Sequence, residues 1–286
     1  MAIHPFRLVN VFTLDQSAGG SLAPLTGNPL CVFENAAAFS TETMQALALQ
    51  FNLSETTFIL PAARAAARVR IFTPRYEMPF AGHPTLGTAH VCRTLKLGGD
   101  SLELEMQAGT IPVRATGDRW TLTAPNSSWR EFDSSKSALA AALGLEPRDI
   151  GDRPLWVKAG KEQLVVPLNS TDAVRRTAPD SLLNGIKSED GHSMAYVFAF
   201  DGPGRALARF FFPQGSAILE DPATGSATAN FGAWCLAMQR PLPLNMQISQ
   251  GEFTGRPSSL FLSLNDQRQI FVGGEVVEIG RGTISF

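Results

Sequence analysis

"RIFTPRYEMPFAGHPTLGTA", residues 70–89, runs from a pentapeptide of β-forming residues through a proline-bounded turn to a glycine and a small apolar helix pattern. Gly82 allows a backbone approach that a side chain would block, and Pro84 carries the fixed dihedral suited to a first helical turn. The same order recurs in the second half of the chain. "RIFTP" (70–74) matches "RFFFP" (209–213), and "PFAGHPT" (79–85) matches "PATGSAT" (222–228), at offsets of 139 and 143 residues. A third echo, "GNPLCVF" (27–33) against "GKEQLVV" (160–166), falls at offset 133. Three echoes in one order, each displaced by close to half the chain, mark an internal duplication.

Outward from these turns, short β-rich runs occupy 6–14, 29–34, 56–61, 68–74, 101–106, 110–115 and 119–125, each bounded by Gly, Pro, Asn or Asp. Two helices interrupt them. Residues 40–52 place Met44, Leu47, Ala48 and Phe51 at helical spacing behind a Ser/Thr start, and 85–99 form a second helix ending in glycines. The second helix is apolar on most sides and is expected to be enclosed. The fold class that follows is α+β, with two pseudo-symmetric lobes, each an antiparallel barrel-like sheet around one buried helix. The lobes span 1–125 and 126–286, with the last strand free to pack back on the first lobe. The polar stretch "APNSSWREFDSSKS" (124–137) is read as the linker. Two such lobes are expected to leave an active-site cleft between them.

Composition narrows the function. The 286 residues are 44% hydrophobic and 17% charged, with net charge −2 and no block of five like charges. Nothing here suggests a nucleic-acid footprint or an anionic-membrane patch, and a small-molecule partner is favoured. Cys31, Cys92 and Cys235 lie far apart in apolar surroundings, so neither a disulfide scaffold nor a zinc site is indicated, and a cytoplasmic home is expected. No secretory leader and no run of 18 apolar residues is seen, so neither export nor membrane insertion is expected.

The glycine turns have chemistry of their own. Helix starts at Gly82 and at Gly225 would aim backbone amides outward and suit a carboxylate, each end contributing about 0.3–2 kcal/mol. Ser226 could cap the second helix while offering a hydroxyl, and Asp221 could favour its positive end. Two readings of Glu55 stand in "FNLSETTFIL" (51–60). With Asn52 three positions earlier it has capping-box spacing. Alternatively, a carboxylate at the mouth of an apolar strand is partly desolvated, its pKa rises, and it can both take and return a proton. The matching stretch near "SMAYVFAF" (193–200) holds no acid, so the lobe does not need one for its shape. His83 can be a structural hydrogen-bonder or a site residue. The four histidines show no ligand spacing, no metal is expected, and nucleotide-cradle and nucleophile-elbow motifs are absent.

"GNPLCVF", "NLSETTFIL", "RIFTPRYEMPFAGHPTLGTA", "EDPATGSATANFGAW", "ISQGEFTGRPSSL" and "GRGTISF" together resemble the PhzF-like family of phenazine biosynthesis, over nearly the whole chain. The resemblance implies a diaminopimelate-epimerase-like fold and a cofactor-free isomerase resembling trans-2,3-dihydro-3-hydroxyanthranilate isomerase. It places the acid/base glutamate at Glu55, with His83, Asp221 and Ser226 around the substrate and Gly82, Thr224 and Gly225 in binding positions. It also implies a homodimer. Epimerases of this fold use two cysteines just before the helix-start glycines. Ala81 and Thr224 stand there instead, and neither can form a thiolate. Two alternatives remain from the residues: a racemase or epimerase of an amino or imino acid, and a carboxylate-binding protein without catalysis.

Overall fold

A computed structural model describes residues 2–286. The chain divides into two compact units, residues 1–123 with 273–286, and residues 124–272. In the first unit the strands Ile3–Thr13, Asn28–Phe33, Glu55–Leu60, Ala67–Phe72, Ser101–Met106, Gly109–Thr116 and Arg119–Thr123 pair in that order. The C-terminal strand Ile270–Ser285 pairs with both the last and the first of them, which closes an eight-stranded barrel. Closure leaves no edge strand open.

The sheet is not purely antiparallel, as the sequence led us to expect. Asn28–Phe33 and Glu55–Leu60 run parallel, as do Ala67–Phe72 and Ser101–Met106. A parallel pair needs a crossover, usually helical, and the two helices of this unit are the two crossovers. Thr41–Phe51 lies outside, burying Met44, Leu47 and Ala48 against Cys31, Phe33, Phe58 and Phe72. Gly82–Thr94 lies inside, with every residue from His83 to Cys92 buried. Its Gly87 lets the helix approach the wall: a Cβ there would stand 2.6 Å from the Leu30 side chain and about 3 Å from those of Val9 and Val11. The inner helix begins three residues before the expected start and stops at Thr94, because Leu95 caps it and Lys96 turns left-handed (φ 60°) before the glycines are reached.

The second unit repeats the plan. Strands Ser128–Glu131, Leu155–Ala159, Lys161–Pro167, Ala195–Phe200, Arg205–Gln214, Leu244–Gln250 and Ser258–Leu264 pair in that order, with Ala217–Asp221 added on Arg205–Gln214. Its parallel pairs are again bridged by helices, Thr171–Arg176 for one and Gly225–Ala237 for the other. The second is buried at every residue except Ser226. The stretch read as a linker contains a strand of this unit, Ser128–Glu131. Its Arg130 reaches the carboxylate of Glu162, so the polar residues mark an outer strand rather than free chain.

Candidate active site

In the first unit the outer helix ends at Asn52, which takes the left-handed conformation (φ 50°) that Asn tolerates better than most residues. Asn52 is therefore a C-cap and not the head of a capping box, which removes the bland reading of Glu55. The chain turns at Leu53 and Ser54, and Glu55 is the first residue of the inward strand, in register with Leu30. Buried Phe58 and Ile59, with the buried Thr56 and Thr57 before them, draw the strand into the core and bring the carboxylate to its mouth.

His83 is the second residue of the inner helix. Its Nε2 lies 3.4 Å from Oε2 of Glu55, with side-chain exposures of 7% and 15%, and both facing atoms are shut off from solvent. Burial pushes the imidazole down to about 3, against a hydrogen bond to the backbone of Pro29 that acts the other way. Pro29 has no N–H, so its carbonyl accepts and a ring nitrogen of His83 donates. Nε2 makes no such bond, which assigns the donor to Nδ1. In the neutral ring Nε2 is then the basic nitrogen, turned toward Glu55. A carboxyl group and an imidazole nitrogen so placed can share one proton. Ala81 precedes the helix without a side-chain cap, so no side chain of its own covers the amides at Gly82.

The second unit brings Asp221, Thr224, Gly225 and Ser226 together at the start of its buried helix. Asp221 ends the strand Ala217–Asp221, and Thr224 is the N-cap residue. The Thr224 amide donates to Oε1 of Gln250 at 3.3 Å, while Nε2 of Gln250 donates to the Asp221 carbonyl at 2.9 Å and to Oγ1 of Thr224 at 3.0 Å. With an amide hydrogen approaching it, the Thr224 hydroxyl turns its own hydrogen to Oδ2 of Asp221, 2.5 Å away. Asp221 is thus held by its neighbour three residues on, close to the start of the buried helix. Ser226 does not cap the helix; its Oγ accepts a bond from Nε2 of Gln163 at 3.1 Å. Gln163 and Gln250 escaped the sequence reading because glutamines inside strand patterns carry no signal of their own.

Other features are distant in kind. The three cysteines are buried and unpaired, and burial pushes Cys92 and Cys235 up to about 12, out of reach of thiolate chemistry at neutral pH. A cavity of about 330 Å³ in the second unit, between Phe200, Arg240, Leu244 and Met246, contains none of the candidate residues. Among the described residues no three His, Cys, Asp or Glu side chains gather as metal ligands, and no helix is long and apolar enough to cross a membrane.

Residues 21–282 match the family PhzC-PhzF, phenazine biosynthesis-like protein. The chain belongs to this family. It is 37% identical over 247 residues to trans-2,3-dihydro-3-hydroxyanthranilate isomerase of Pseudomonas aeruginosa, covering 83% of this chain and 85% of the relative. It is 35% identical over 285 residues to an uncharacterized isomerase of Pasteurella multocida, covering 98% and 94%. In structure it is similar to a phenazine biosynthesis protein of the PhzF family from Bacillus anthracis, with a TM-score of 0.86, 23% identity and full coverage of both chains. Membership carries the class of isomerase and the diaminopimelate-epimerase-like fold.

Proposed function

We propose that this isomerase moves a proton on a small cyclic carboxylate, with trans-2,3-dihydro-3-hydroxyanthranilate as the first substrate to test and Glu55 as the general acid/base. The observation that carries the reading is the solvent-shielded Glu55–His83 pair at 3.4 Å. The choice of substrate comes from the 37% identical Pseudomonas relative. In the proposed reaction Glu55 takes the proton from C3, the double bonds shift, and a proton is delivered to C1, so the formula is unchanged. His83, neutral and basic at Nε2, accepts the hydrogen of protonated Glu55 and holds the carboxyl group at the strand mouth between the two transfers, while its proton exchanges with solvent. Asp221 and Ser226, with Gly82, Thr224 and Gly225, are the residues assigned to substrate binding. No cofactor takes part in the step, a homodimer is the working assembly, and the cytoplasm is the working location.

Incubation with this substrate in deuterium oxide, followed by mass spectrometry and NMR, should place one deuterium at C1. Glu55→Gln keeps the shape and cannot exchange the proton, so label uptake and turnover should vanish together. Undiminished turnover in that variant would end the acid/base assignment. Size-exclusion chromatography with light scattering tests the assembly, for which a mass of twice 30.8 kDa is expected.

A further inference from the structure

We infer that Gln163 and Asn230 act as positioning residues that fix the Ser226 hydroxyl as a hydrogen-bond donor. The chain of reasoning starts at groups whose roles are not adjustable. The Ala159 amide can only donate, and it donates to Oδ1 of Asn230 at 2.6 Å. Nδ2 of Asn230 therefore takes the other side, where one hydrogen meets the Lys161 carbonyl at 2.9 Å and the other meets Oε1 of Gln163 at 2.8 Å. The Lys161 carbonyl can only accept, so two backbone groups independently give the same orientation of the Asn230 amide. With Oε1 occupied, Gln163 must present Nε2 to Ser226, and it donates to Oγ at 3.1 Å. The hydroxyl then points its own hydrogen away from Gln163. Asn230 and Gln163 are 0% and 2% exposed, so water cannot easily reset either amide, whereas Ser226 is half-buried and open to a ligand.

The first unit shows that the fold does not require this relay. By the internal duplication Asn230 corresponds to Gly87 and Gln163 to Leu30, and there the same gap is closed by packing, with the Leu30 side chain against Gly87. A buried polar chain costs desolvation unless every member is satisfied. Here both side-chain oxygens accept a bond and both Asn230 hydrogens are placed, and the Ser226 hydrogen is left to be directed away from Gln163. The acceptor it suits is an anionic or carbonyl oxygen, which rests on the carboxylate substrate proposed above.

Two experiments separate this inference from that reading. Neutron diffraction on deuterium-exchanged crystals of the unaltered protein should show an Nε2 deuterium of Gln163 directed at Ser226 and the Ser226 deuterium directed elsewhere. A Ser226 deuterium directed at Gln163 overturns the inference, whatever the protein binds. Calorimetry with 3-hydroxyanthranilate as probe then reads the functional consequence. Gln163→Glu keeps the shape but accepts on both sides, so it should turn the Ser226 hydrogen inward and weaken binding roughly tenfold, about the value of one charge-assisted hydrogen bond. The same change in the S226A background should cost less than twofold. An equal loss in both backgrounds would mean charge repulsion or a packing defect and would overturn the positioning role. Failure of the unaltered protein to bind the probe, with the neutron result as expected, supports the polarity and counts against the substrate class instead.

Discussion

The two buried helices, Gly82–Thr94 and Gly225–Ala237, have the same length and the same place in the connectivity, yet their first turns differ in chemistry. His83 and Ser226 stand at equivalent positions of the duplication. His83 is anchored by a carbonyl, which leaves a basic nitrogen facing Glu55. Ser226 is anchored by an amide hydrogen, which leaves a donor. One helix start thus presents an acceptor beside a carboxyl group, and the other a donor beside the Asp221–Thr224 pair. Duplication supplied a scaffold twice over, and the strand next to each helix decided its polarity. An acid is needed on one side only when the same group removes and returns the proton.

The contrast can be broken at several points. The largest effect is expected from Glu55→Gln, which should lower kcat by on the order of 10²–10⁴ with the thermal midpoint preserved, as read by steady-state kinetics and circular dichroism. Next is Asn230→Ala, which strands the Ala159 amide, the Lys161 carbonyl and Oε1 of Gln163. At about 1–3 kcal/mol for each buried group left unpaired, denaturant titration should show a loss of several kcal/mol. Gly87→Ala addresses the equivalent position in the first unit, where the new methyl meets Leu30. A loss of about 1–3 kcal/mol is expected, and the same change should cost less in a Leu30→Ala background, where the methyl no longer meets the leucine.

The smallest effect at neutral pH concerns His83. Its pKa is lowered in the folded state, from 6.5 to about 3, so the unfolded chain binds the proton first as pH falls. The contribution of neutral His83 is complete above about pH 6.5 and is lost progressively toward pH 3. Melting curves across this range should fall less steeply for His83→Gln than for the unaltered protein. A parallel fall would show that His83 is not held neutral.

Much of this was legible in the chain itself. The duplicated strand, turn, glycine and helix order, the enclosed character of the inner helices and the lone acid at Glu55 all follow from local spacing, because backbone freedom at Gly82 and Gly225 and apolar periodicity are properties of neighbouring residues. Asn52 was misread as a possible helix head because the same side chain serves either end of a helix, and only the left-handed turn after Phe51 decides which. The parallel pairings and the strand at 128–131 were likewise hidden, since strand direction and partner are set by crossovers and by long-range pairing rather than by the strand's own residues. The roles of the site's polar groups needed the tertiary structure most of all. Whether a hydroxyl, an amide or an imidazole gives or takes a hydrogen depends on what is pressed against its other side, and for Ser226 and His83 that neighbour lies more than fifty residues away along the chain.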